Sequence, residues 1–198
     1  MPSDHGNYQL RVARLQDEPA LQALIARSIR ALGSDDYTSA QIEAALRGAF
    51  GVDTQLIRDG TYFVVIAATG QIVACGGWSR RGTLFGSDAR AERDESWLDP
   101  RTDAAKVRAF FVDPAHARRG LGRRILERSE SEAARAGFSR LELMATLPGV
   151  RLYEKCGYLA QASIVHPLPG GLDIVFVPMA KTTAPDAAAP HFNQESLK

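Results

Sequence analysis

Apolar and polar residues alternate from Tyr8 to Ala13, the pattern of a short half-buried strand. From Asp17 to Leu32 the period changes. Leu21, Leu24, Ile25, Ser28, Ile29 and Leu32 fall on one helical face, and Gly33 suits the position just past the helix end. Thr38 or Ser39 is placed to cap a second helix through Phe50, carrying Ile42, Ala45, Leu46 and Ala49. Tyr62 to Ala68 and Gln71 to Trp78 then read as strands joined across Thr69-Gly70, a hairpin signal. Residues 79 to 103 are polar and charged, interrupted by Leu84-Phe85 and Trp97-Leu98. So long a stretch inside a domain is functional or disordered, and its aromatics favour an ordered flap.

A strand from Val107 to Val112 follows, cut at Pro114. A long amphipathic helix opens near Leu121 and stops at Ala136-Gly137. Arg140 to Met144 reads as a strand and Pro148 to Lys155 as a short helix stopped by Gly157. Gln161 to His166 and Asp173 to Pro178 complete the strands. Hairpins and helix-linked strands occur together, which predicts an α/β fold with a central mixed sheet flanked by helices. Residues 1–181 form the expected domain. Residues 182–198, small and polar with two prolines, form an expected disordered tail.

A length of 198 residues suits one domain, and 45% hydrophobic with 24% charged residues describes a soluble globular chain. The net charge of +1 argues against a general nucleic-acid binder. Cys75 and Cys156 lie far apart without metal-ligand spacing and read as reduced thiols, so no metal is expected. No apolar run approaches ~18 residues, which excludes a membrane helix. The first residues lack the basic start and apolar core of a signal peptide. A cytoplasmic location follows as the expectation.

One charge cluster stands out. Arg118, Arg119, Arg123 and Arg124 sit at or inside the start of the long helix, opened by Gly120 and Gly122. Cations are unfavourable at that end of a helix dipole, so the cluster implies an anion, such as a phosphate cradled by helix amides. A nucleotide P-loop needs Gly-Lys-Ser/Thr, whereas Arg123-Arg124 follow Gly122 here. A dinucleotide fingerprint finds Gly120, Gly122 and Glu142, but Ile125 stands at the third glycine and seven residues separate Val112 from Gly120.

A third design fits better. Ala117-Arg118-Arg119-Gly120-Leu121-Gly122, after Phe110-Phe111-Val112-Asp113-Pro114, resembles the pyrophosphate loop of the GNAT superfamily of N-acetyltransferases. Ala117 departs from the Gln or Arg usual in that loop. A second segment, Ala145 to Tyr158, resembles the family's later motif, with Leu152-Tyr153 and Gly157-Tyr158 at matching spacing. The element order matches from about Tyr8 to Met179.

The resemblance implies the acyl-CoA N-acyltransferase fold and an acetyl-CoA-dependent N-acetyltransferase, with acetyl-CoA as co-substrate. Its acceptor would be a primary amine of a small molecule or a protein, without nucleic-acid or membrane partner. A homodimer through the C-terminal strands follows by analogy. It places the pantetheine along Phe110, Phe111 and Val112, with a backbone donor at Val112 for the thioester oxygen. The pyrophosphate would lie on Arg118, Arg119, Gly120, Leu121, Gly122 and Arg123. Tyr153, by composition alone a packed helix tyrosine, matches the family's general acid.

An alkylamine of pKa ~10.4 must lose a proton, at about 4 kcal/mol at pH 7. Asp35, Asp36, Glu142, His116 and His166 are the candidate bases, none singled out by pattern. Arg108 is either a salt-bridged arginine or a group facing the acceptor. Tyr37 and Trp78 are either core or acceptor pocket. Cys156 has no evident His partner and reads as a packing residue. A non-catalytic acyl-CoA-binding module is the alternative function.

Overall fold

Alternation along the strands sorts side chains to two faces. Phe63 and Val65 pack on one and Tyr62 and Val64 on the other. The computed structural model describes residues 7–88 and 93–183. The tail expected beyond Lys181 therefore falls, from residue 184 on, outside the described residues. β1 (Tyr8–Val12), β2 (Tyr62–Ala67), β3 (Ile72–Ser79) and β4 (Ala105–Val112) pair antiparallel in that order. β5 (Arg140–Thr146) joins β4 in parallel. β8 (Leu172–Thr182) pairs antiparallel with β5, and its other side carries β6 (Leu159–Ala160) and β7 (Ile164–Leu168). The result is an eight-stranded mixed sheet.

The parallel step needs a crossover, which α4 (Leu121–Arg135) supplies. Ile125, Leu126 and Ala133 of α4 pack on the Phe63 face, together with Val107, Leu141 and Leu143. α1 (Glu18–Leu32) buries Leu21, Leu24, Ile25 and Ile29 on the opposite face, where α2 (Ser39–Ala45) and α3 (Thr54–Arg58) complete the layer. α5 (Val150–Lys155) leaves the end of β5 and buries Tyr153.

Several boundaries differ from the sequence expectation. The second helix stops at Ala45, and a turn through Gly48 carries Phe50 into the core, its amide bonded to the Ala45 carbonyl at 2.8 Å. α3 is a single short turn with no helical period to read; Asp53 caps it by accepting from the Leu56 amide at 3.3 Å. Gly170 and Gly171, both at positive φ, make the β7–β8 turn, so β7 is Ile164–Leu168 and not residues 161–166. In the stretch expected as a flap, the described residues form a ribbon. The Gly82 amide bonds to Ser96, Thr83 to Asp94 and Leu98 to Arg80.

Candidate active site

β4 and β5 part company halfway. Their pairing runs from Ala105 opposite Leu141 to Val107 opposite Leu143 and goes no further, although both strands continue. On its other edge β4 slips against β3 between Cys75 and Gly77, leaving Ala109 and Phe110 outside that register too. Ala109 takes φ 61°, the kink of a bulge. A Cβ on Gly76 would lie 2.7 Å from the Phe110 ring, so only glycine lets the ring lie across β3. A cavity of about 60 Å³ opens beside this stretch, lined by Val107 to Phe111 of β4, Met144 and Thr146 of β5, and Tyr153.

The loop after β4 is shaped by backbone. Asp113 accepts from the Ala115 amide at 3.0 Å and pairs with Arg27 at 3.1 Å. Arg118 has φ 64°, and Gly120, at φ 78°, begins α4 in a left-handed conformation. A Cβ at Gly120 would meet open space, so conformation alone requires the glycine there. At Gly122 the requirement is room, since a Cβ would sit 3.1 Å from Leu152 and 3.6 Å from Val112. The amides of Leu121, Gly122 and Arg123 belong to the first helical turn, where no intrahelical acceptor exists.

The arginines do not all converge on that end. Arg123 pairs with Glu127 at 2.8 Å, and Arg124 donates to the Tyr8 carbonyl at 2.9 Å. Arg118 and Arg119 are exposed. Arg123 and Arg124 thus have partners within the protein, so the cluster is not wholly turned towards the helix start.

Tyr153 is 8% exposed and lines the cavity, its ring edge-on to Phe110 at 6.2 Å and to Tyr158 at 5.8 Å. Burial pushes its phenol well above the usual range, with Cys156 adding to the effect. The Val112 amide, expected as oxyanion donor, already donates to Ser28 Oγ at 3.2 Å. Phe110, outside both registers, presents the backbone group that the ladders leave over.

None of the candidate bases lines the cavity. Asp35 and Asp36 lie in the exposed turn after α1, and Glu142 is paired with Lys106 at 2.7 Å. The Tyr8 hydroxyl lies 2.9 Å from His116 Nδ1. His166 packs against the rings of Phe85 and Phe176 at 5.0 and 6.0 Å. Tyr37 is core: its hydroxyl donates to the Val175 carbonyl and accepts from the Leu147 amide, both at 2.8 Å. Trp78 is core as well.

Arg108 lines the cavity and is also salt-bridged. It is 5% exposed, donates to the Thr83 carbonyl at 2.8 Å and lies 3.1 Å from Asp53, too misaligned for a hydrogen bond. Burial pulls its pKa down while Asp53 pulls it up. Arg93 approaches the same carboxylate at 2.8 Å and reaches Asp88 at 3.4 Å. These pairs fasten residues 84–88 over the α2–α3 loop, where Ser87 Oγ also donates to the Gly48 carbonyl at 2.7 Å. Sequence reasoning missed Phe50, Phe85, Phe176 and Asp53 here. The only signal was Leu84-Phe85, two apolar residues in a polar stretch.

Among the described residues no group of three His, Cys, Asp or Glu side chains is gathered to hold a metal ion, and no helix is long and apolar enough to cross a membrane.

Solved structures share this architecture. A GCN5-related N-acetyltransferase from Rhodopseudomonas palustris superposes with TM-score 0.65 at 18% identity, over 89% of this chain and 96% of the other. The PaiA N-acetyltransferase of Thermoplasma acidophilum, solved with coenzyme A, gives 0.58 at 12% identity over 88% and 98%. The ribosomal-protein-S18-alanine N-acetyltransferase of Escherichia coli gives 0.54 at 18% identity over 93% and 99%. At such identities the likeness establishes the fold. No curated protein matches the sequence. Residues 27–158 match the acetyltransferase (GNAT) family, the span that carries the β4–β5 opening, the glycine-capped helix and Tyr153. The chain belongs to the GNAT acetyltransferase family.

Proposed function

We propose that the protein is an acetyl-CoA-dependent N-acetyltransferase in which Tyr153 protonates the leaving thiolate. The observation that carries this reading is the wedge between β4 and β5, with the unpaired Phe110 backbone on its wall and the free amides of α4 at its edge. A chain with amide groups, such as pantetheine, finds strand-like backbone there, and a pyrophosphate finds helix amides. The PaiA relative solved with coenzyme A has the same fold, which supports the assignment of the donor.

When bound, acetyl-CoA supplies an activated acetyl group: the amine nitrogen forms the C–N bond, the C–S bond breaks, and the products are the amide and free CoA thiol. Leu121, Gly122 and Arg123 hold the pyrophosphate through their amides. The strand from Phe110 to Val112 orients the pantetheine. The Phe110 amide is the donor for the negative charge developing on the thioester oxygen, a role in which one such bond contributes a factor of about 10² to 10³. Tyr153 delivers its phenolic proton to the sulfur and regains one from the acceptor nitrogen. Burial raises its pKa, so the phenol carries its proton across the neutral range.

The acceptor is a primary amine of a small molecule or a protein. Thiol release from acetyl-CoA, followed on adding pooled primary amines, tests the reading. Amine-dependent release supports it. Tight CoA binding without release favours a non-catalytic CoA-binding module, the reading that suits a cavity wall without Asp, Glu or His among the described residues.

A further inference from the structure

Opposite Tyr153, the cavity is walled by rings from segments far apart in the chain. Phe50 comes from the turn after α2, Phe85 from the 84–88 strap, Phe111 from β4 and Phe176 from β8. Phe50 meets Phe111 at 6.2 Å and Phe176 at 6.0 Å, and Phe85 meets Phe176 at 5.4 Å. We propose that these rings form the acceptor subsite, selecting a primary amine carried on an apolar group, and that Phe85 is its specificity-determining residue. This rests on the acetyltransferase reading above, since the subsite is defined by its continuity with Tyr153 and Phe110.

Charge argues for this occupant. Arg108 is the one charged residue on the cavity wall among the described residues. Asp53, its counter-charge, stands behind it, fully buried and off that wall. A polyamine or aminoglycoside would bring further ammonium groups to a guanidinium, with no carboxylate on the wall among the described residues to receive them. Burying them unpaired is strongly unfavourable. An amine on a phenyl or alkyl body meets the opposite balance. The rings gain apolar contact with that body.

Phe85 holds the deciding place. Phe50 and Phe176 are 5% and 2% exposed and pack in the core as well as lining the cavity. Phe85 is only half-buried and sits in the strap, next to Gly86 at φ 112°, where side-chain change leaves the sheet intact.

The test compares thiol release from acetyl-CoA with phenethylamine, hexylamine, spermidine and kanamycin, alongside calorimetric binding of acetyl-CoA. The expected result is kcat/KM for phenethylamine and hexylamine at least about tenfold above the two polycations. Phe85→Ala is expected to raise the phenethylamine KM about tenfold, Phe85→Leu to recover part of that loss, and both to leave the acetyl-CoA Kd unchanged. Preference for spermidine or kanamycin overturns the inference while leaving the acetyltransferase reading in place. So does a Phe85→Ala variant that binds acetyl-CoA normally and shows an unchanged phenethylamine KM. Binding of acetyl-CoA without release by any amine overturns both.

Discussion

The two ends of the cavity are built from different materials. On the proposed donor side the groups are backbone: the unpaired stretch of β4 and the first-turn amides of α4. On the proposed acceptor side they are side chains. Rings from separate segments close the wall, and the Arg108–Asp53–Arg93 cluster fastens the strap over them. A backbone site tolerates almost any side chain provided glycine stands where conformation or space demands it. A side-chain site is defined by what each residue is. On the proposed reading, the donor end depends on backbone geometry and the acceptor end on side-chain identity.

The largest effect expected from breaking this contrast lies in the fastening. Asp53→Ala leaves Arg93 and Arg108 without their shared carboxylate in a buried site, a loss of about 3–5 kcal/mol in unfolding free energy by urea titration. A change below 1 kcal/mol would mean that the cluster does not hold the strap. Tyr153→Phe, at the junction of the two ends, is expected to lower kcat about 10²-fold with the acetyl-CoA Kd preserved; full activity would remove the phenol from the mechanism.

Gly120→Ala forces a side chain into the left-handed region at about 1–2 kcal/mol. Calorimetry should show up to roughly tenfold weaker CoA binding, with the acceptor KM unmoved, since only the donor end is touched. Arg123→Ala removes a surface pair with Glu127 and is expected to weaken CoA binding by less than about fivefold. A larger loss would return the weight to the arginine side chains.

The smallest effect is a flat one. Burial raises the Tyr153 pKa, so its acid form persists as pH rises. The kcat profile should climb as the amine deprotonates and show no descending limb up to pH 10. A fall beginning near pH 8 would contradict the assignment of Tyr153 as the acid.

The same contrast explains what was legible in the sequence. Gly120 and Gly122 are visible as letters because their positions need glycine itself, and Leu152-Tyr153 with Gly157-Tyr158 keep their spacing across one short helix and the turn that ends it. The hairpin at Gly70 and the stop at Gly137 were legible for the same reason. Phe50, Phe85 and Phe176 were not, because they come together only through tertiary packing. α3 was hidden by its length, and Asp53 by doing two jobs, capping α3 and holding Arg108, of which sequence shows neither. The partner of the Val112 amide was hidden for a third reason: Ser28 of α1, which accepts from it, lies 84 residues away.

A crystal structure with acetyl-CoA would show the proposed donor site itself. The pantetheine is expected in the wedge between β4 and β5, the thioester oxygen within hydrogen-bond distance of the Phe110 amide, and the pyrophosphate on the amides of Leu121, Gly122 and Arg123. A ligand bound elsewhere, with the wedge empty and those amides solvated, would contradict the proposal.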